Sequence, residues 1–245
     1  MSGWNTRRRF WSEVHVVPEG EGYGLRLDAR EIRTPAKAAL VVPTRAFAEA
    51  LAEEWRAIGE QIEPGRLPLT KAANTAIDRV SRHREAVIDA IAAYGDTDLL
   101  CYRADEPESL RARQDAAWQP WLDWAETTLG AALWPIEGVM HRAQDPSSLA
   151  ALRHEIARHD ALGLTALHDL VTLSGSLVLG LAVARGALPA AEAWTISRLD
   201  EIWQSEQWGV DYEAEQAAAV REAAFLNAET ILELLGADDA RSARD

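Results

Sequence analysis

A single cysteine, Cys101, in a chain of 245 residues excludes an internal disulfide and fits a reducing compartment. It lies between Leu100 and Tyr102 with no C-x-x-C spacing, so a buried, inert thiol is expected. Long apolar runs are also missing. The longest uncharged stretch lies between Asp169 and Arg185; at fifteen residues it falls short of the roughly twenty that cross a membrane and predicts one buried core helix. Three arginines near the start, Arg7 to Arg9, have no apolar segment behind them, and Glu13 follows soon after. Neither a secretory signal nor a mitochondrial transit peptide is therefore expected. Bases are scarce overall. The formal net charge is −14 and the pI about 4.9, which argues against nucleic-acid binding and against anionic membrane surfaces.

The excess charge is concentrated. Residues 1–60 balance nine bases with nine acids, whereas residues 190–245 carry thirteen acids against four bases. Such a face serves solubility, or it meets a basic or mixed partner.

The first forty residues alternate as strands do. Trp11 to Val17, Tyr23 to Leu27 and Glu31 to Arg33 are separated by Gly-rich and Asp28-Ala29-Arg30 turns, which predicts antiparallel hairpins. From Thr44, a candidate N-cap, the period becomes helical: Phe47, Leu51, Trp55 and Ile58 recur at three- and four-residue steps, and Gly59 is expected to end that helix. Pro68 is placed to open the next helix, and Gly95 to stop a later one. About seven further helical segments follow, punctuated by Pro107, Pro120, Pro135, Pro146 and Pro189. The expected fold class is α+β: an N-terminal β-rich region over residues 1–43, then a helical domain over residues 44–245.

Several motifs are weak carriers of chemistry. His154 and His159 in HEIARH are five residues apart, which turns the rings about 140° from each other instead of onto one helix face. His168-Asp169 is expected to be a surface pair. SGSLVLGLAVARG has glycines but no G-K-[ST] ending, so Ser176, Gly180 and Ala184 are expected to form a small-residue packing stripe. Trp118, Trp121 and Trp124 have core spacing, and their surroundings do not suit phosphate or flavin. Asp96 is expected to cap a helix, with Asp98 in its first turn.

The segment LDEIWQSEQWGVDYEAE, Leu199 to Glu215, holds six acids and three large aromatics, Trp203, Trp208 and Tyr212. If one helix runs from Pro189 to Gly209, Ile196, Leu199, Ile202 and Trp203 share its core side. Asp211 then caps the next helix, with Glu213 and Glu215 in its first turns. These three acids have a local task. Asp200, Glu201 and Glu206 are left without one; Glu206 even sits at the negative end of its helix. They stand out as interaction candidates.

Four stretches resemble the "ATP twelve" family, the assembly chaperone of the alpha subunit of the ATP synthase catalytic head. They are PLTKAANTAID; DTDLLCYRADEPESL; Gln114 with Trp118 to Glu126; and Leu199-Asp200-Glu201 through Gln204, Trp208-Gly209 and Asp211-Tyr212-Glu213. Gln119 departs from the family's usual Asp before the proline. The resemblance implies a small β region, a helical domain, binding of an unassembled alpha subunit, and neither ATP hydrolysis nor a cofactor. It also implies a bacterial, cytoplasmic member, with a functional acid at Asp200 or Glu201. The expected contact residues are Asp200, Glu201, Glu206, Trp208 and Tyr212. The rival readings are a metal-dependent hydrolase built on Asp96 and Asp98, and a general stress holdase.

Overall fold

The computed structural model describes residues 8–138 and 140–236. The stretch up to Arg7 and the last acids, Asp238, Asp239 and Asp245, lie outside the described residues. The α+β class and the order expected, sheet first and helices after, are what the chain adopts.

The first of two compact units comprises, in its described parts, residues 8–83, 161–165 and 230–236. Its sheet is built from β1 (Val14–Glu19), β2 (Gly22–Leu27), β3 (Arg30–Glu31) and β4 (Val41–Val42). β2 pairs antiparallel with β1, with Val14 opposite Leu27 and Glu19 opposite Gly22, and also with β3 and β4. Asp28 takes a left-handed conformation (φ 53°) in the turn after β2. Its carboxylate accepts from the Ser12 and Glu13 amides, which hold its pKa down. Leu25 and Leu27 are buried in β2, as are Phe47, Ala48, Leu51 and Ala52 in α1 (Arg45–Arg56). Thr44 caps α1 by accepting from the Phe47 amide at 3.1 Å. Gly59 does not end this helix: Ala57 closes it, donating to the Glu53 carbonyl.

Pro68 is the first residue of α2 (Pro68–Thr75). The next two amides, Leu69 and Thr70, donate to the Glu54 carboxylate at 2.6 and 2.9 Å, so α1 supplies the anion that helix starts favour. Desolvation nevertheless raises the Glu54 pKa. Asp78 of the NTAID motif accepts from Thr34 Oγ1 and the Ala36 amide. β4 ends just before the boundary expected at residues 43/44 and α1 begins just after it, while the sheet, α1 and α2 share this first compact unit.

The second unit comprises residues 84–160 and 166–229. It contains α3 (Arg84–Ala92), α4 (Glu108–Trp124), α5 (Pro146–Ile156), most of α6 (Ala161–Ser174), α7 (Leu177–Ala184), α8 (Ala190–Ser197), α9 (Leu199–Trp208) and α10 (Tyr212–Gly236) up to Glu229. A two-residue parallel pair, β5 (Tyr102–Arg103) with β6 (Ile136–Glu137), adds strand where only helix was expected. Pro120 lies inside α4 without ending it, and it is exposed, so water can reach the carbonyl that loses its N–H donor.

The uncharged stretch is two helices, not one. Gly175 (φ 75°) breaks it, and Ser176 caps α7 by accepting from the Leu179 amide. Gly180 lets α7 fold back on α6, because a Cβ there would lie 2.7 Å from Val171 Cγ2. Gly95 has a similar role within a 3-10 turn, where a Cβ would press on Leu149 and Leu152.

Asp98, not Asp96, is the cap. One carboxylate oxygen accepts from the Leu100 amide at 3.0 Å and the other from the Val178 amide of α7 at 2.9 Å. Asp96 accepts instead from the Gln144 amide. Complete burial pushes the Asp98 carboxyl up to about 6, against the pull of its amide donors. Asp98→Ala is expected to cost about 2–4 kcal/mol in chemical denaturation, since two buried N–H groups lose their acceptor. A carboxyl raised on folding favours the fold fully below its unfolded value, and that contribution is lost as pH climbs through about 6. The penalty should therefore be larger at pH 5 than at pH 7.5, by about 1 kcal/mol.

Candidate functional site

The acid-rich segment does not sit on one long helix. Arg198 (φ −102°, ψ 19°) separates α8 from α9, and this changes the account of its carboxylates. Asp200 and Glu201 occupy the first turn of α9, the end where a negative charge is favoured. Neither is without a local task, contrary to the single-helix reading.

Asp200 has a further one. Its Oδ1 accepts at 2.8 Å from Nε2 of Gln114, which is buried within α4. The other end of that amide, Oε1, accepts from the Ala104 N–H at 2.7 Å. One side chain thus joins α4, the strand end after Arg103 and the root of α9. Trp118, one helical turn further along α4, is fully buried and donates through Nε1 to the Ile196 carbonyl of α8 at 3.0 Å. The buried Arg103 guanidinium lies over the Trp118 ring, 5.1 Å from its centroid. Its Nη1 donates to the Leu100 carbonyl, and its Nε is 3.0 Å from Asp115. Desolvation lowers the Arg103 pKa, and Asp115 opposes that shift.

Glu206 is not an orphan either. Its two oxygens accept from both terminal nitrogens of Arg113 on α4, at 2.6 and 3.0 Å. Those hydrogen bonds hold its carboxyl below the usual range. The cation offsets the unfavourable helix-end position. Glu201 alone of the three keeps a carboxylate that is exposed and has no side-chain partner among the described residues.

Beyond this root the chain is bare. Every residue from 204 to 217 is exposed, although it lies in the end of α9, a tight turn and the start of α10. Gly209 (φ 92°) makes the turn, and its amide donates to the Ser205 carbonyl. Asp211 caps α10 as expected, accepting from the Glu213 and Ala214 amides. Trp208 is 75% exposed and Tyr212 77% exposed, with Val210 between them also exposed. The Trp208 ring meets Trp203 edge-on, 5.7 Å between centroids. No Lys, Arg or His occurs from Leu199 to Val220.

The five expected contact residues are therefore neighbours, but they divide into two kinds. Asp200 and Glu206 hold α9 to α4, while Glu201, Trp208 and Tyr212 face solvent. Arg113, Gln114 and Val210 were not singled out as functional. Gln114 lies in one of the family-like stretches, where a long polar side chain amid core spacing is the signal. Arg113 pairs across 93 positions, and a single sequence carries no mark of that.

The hydrolase reading finds no support in geometry. Both Asp98 oxygens are engaged by amides, and among the described residues no three His, Cys, Asp or Glu side chains converge as metal ligands would. In HEIARH, His154 is exposed, while burial lowers the His159 pKa. Cys101 is buried, and its thiol pKa is raised by desolvation, which is the inert thiol expected.

If Arg113 and Glu206 brace α9, Arg113→Glu and Glu206→Lys each set like charges facing and should speed amide exchange in residues 203–208 about threefold. The double variant restores the opposite pair in reverse and should return exchange to the parent rate. Failure of the double variant to recover would separate Glu206 from any bracing role.

The ATP12 chaperone protein family matches over residues 8–126. The crystal structure of Atp12 from Paracoccus denitrificans is 50% identical in sequence and superimposes with a TM-score of 0.91, covering 94% of this chain and 99% of that one. The crystal structure of Atu1473, a putative chaperone from Agrobacterium tumefaciens, is 42% identical with a TM-score of 0.90, covering 94% of this chain and 87% of that one. Protein atp12, mitochondrial, of Schizosaccharomyces pombe is 23% identical over 215 residues, which is 82% of this chain and 74% of that protein. The chain belongs to the ATP12 chaperone family, the ATP synthase assembly chaperones that its motifs resemble, and it is a chaperone and not an enzyme.

Proposed function

We infer that this chaperone binds the unassembled alpha subunit of the ATP synthase catalytic head and covers the surface that subunit later gives to the beta subunit. The observation that carries the reading is the exposed segment at residues 204–217, where Trp208, Val210 and Tyr212 stand in solvent beside unpaired carboxylates. A contiguous exposed apolar patch rimmed by polar groups marks a protein–protein contact. A subunit waiting for its neighbour presents the complementary problem, since its interface is apolar and invites aggregation. The chaperone's aromatics shield that interface, and its carboxylates meet basic groups at the edge.

Charge sets encounter rate and orientation more than affinity. Arrival of the beta subunit, competing for the same surface, releases the client. No chemical step is needed. The site of action is the bacterial cytoplasm in this reading. Among the described residues no helix is long and apolar enough to cross a membrane.

Capture of purified alpha subunit, with and without purified beta, tests this. The parent chain should retain alpha, and added beta should displace it. Glu201→Lys should weaken capture about three- to tenfold, mostly through the association rate, with only a small fall in melting temperature, because the side chain's one internal role is its favourable place in the first turn of α9. Asp200→Lys should lower both capture and melting temperature, because Gln114 loses its acceptor. A Glu201→Lys chain that captures alpha as the parent does would remove Glu201 from the contact. A broad mixture of clients retained equally with alpha would make the protein a general holdase.

A further inference from the structure

Helix ends are stable in water only when a face of them is packed, since short isolated helices are marginal. The end of α9 and the start of α10 break that pattern, with fourteen consecutive residues, 204 to 217, exposed. The first buried position on α10 is Ala218, and the first large buried side chain is Phe225, which stacks near Trp194 of α8 at 5.5 Å between centroids. The body of the unit thus grips α10 from its second turn onward and leaves the start free. On the other side, Gln114 to Asp200 and Arg113 to Glu206 fix α9 to α4. The segment is a braced projection with a bare tip.

The tip is not polar, as a solvated turn would be. Trp208, Val210 and Tyr212 are all exposed within five residues, and Trp208 is held by its edge-on contact with Trp203. Fixing an aromatic before binding lowers the ordering cost of contact, and Trp and Tyr dominate interface energetics when they enter pockets. Three apolar groups exposed together on a short turn between two helix ends suit a recess in the partner that can surround them. The same segment offers Glu201, Glu213 and Glu215 as exposed carboxylates with no basic residue from Leu199 to Val220. Basic groups at the rim of such a recess complement these carboxylates.

We propose that the α9–α10 projection acts by insertion: Trp208, Val210 and Tyr212 enter an apolar-floored, Lys/Arg-rimmed recess of the client, while Asp200 and Glu206 are positioning residues that aim the tip from its root. This rests on the reading that the client is the alpha subunit, and it adds the mode of contact. The alternative mode is a client lying lengthwise on the exposed face of α10. Val220 separates the two. It is 73% exposed and lies two helical turns beyond Tyr212 on α10, so it would be covered only in the lengthwise mode.

The test measures dissociation constants for purified alpha subunit with the full-length parent, the Trp208→Ala/Tyr212→Ala double variant and Val220→Glu. Melting temperatures confirm that each is folded. Insertion predicts at least a tenfold loss for the tip variant and less than twofold for Val220→Glu. Loss at Val220→Glu equal to that of the tip variant would replace insertion by lengthwise docking. A tip variant that binds as the parent would overturn the proposal while leaving the client assignment intact. A folded parent with no affinity for alpha would overturn both. The positioning role has its own readout: Glu206→Lys should weaken binding, and Arg113→Glu in the same chain should restore it. A direct contact role for Glu206 would leave the double variant as weak as the single.

Discussion

The buried amide of Gln114 is the interaction on which the C-terminal half of the second unit depends. It accepts from the Ala104 N–H and donates to Asp200, so it is satisfied at both ends by different elements. A half-satisfied buried amide is costly, which makes the two bonds interdependent. Trp118 on the same helix holds α8 through the Ile196 carbonyl, and Arg113, beside Gln114, holds the end of α9 through Glu206. Three side chains within six residues of α4 therefore anchor the α8–α9 pair. The chain break at Arg198 is what lets α9 turn onto that anchor.

This arrangement separates stability from recognition along one short segment. The carboxylates at the root face α4 and have partners of opposite charge or with donor groups. The groups at the tip face water, and among the described residues Glu213 and Glu215 have no side-chain partner. A chaperone benefits from that division, because the client-facing end carries apolar surface that would be a liability if it were mobile or larger. Its small size, its acidic surroundings and the net charge of −14 all oppose self-association. Covering a client and releasing it to a competitor needs modest affinity and fast encounter, which a small aromatic tip with a charged rim supplies.

Local rules in the sequence were enough for the parts that depend on near neighbours. Thr44 and Pro68 begin helices because cap chemistry is decided within four residues. The β1–β2 hairpin follows from alternation and its turn. What was not legible depended on distant partners or on backbone geometry. Gly175 and Arg198 end helices inside apolar runs whose periodicity continues across them, so α6–α7 and α8–α9 each look like one helix. Asp200 and Glu206 looked idle because their partners lie 86 and 93 positions away. Asp98 reads as a first-turn carboxylate in the sequence because its second donor, the Val178 amide of α7, lies 80 positions away. Glu201, Trp208 and Tyr212, expected as contact residues, are exposed, and among the described residues Glu201 has no side-chain partner while Trp208 meets only the edge of Trp203.

Hydrogen exchange of the full chain, free and bound to purified alpha subunit, addresses the central claim most directly. The account predicts that amides in residues 204–217 exchange markedly more slowly in the complex than in the free chain, with little change in α4 around Gln114. Protection confined to other surfaces, with residues 204–217 exchanging equally fast in both states, would contradict it.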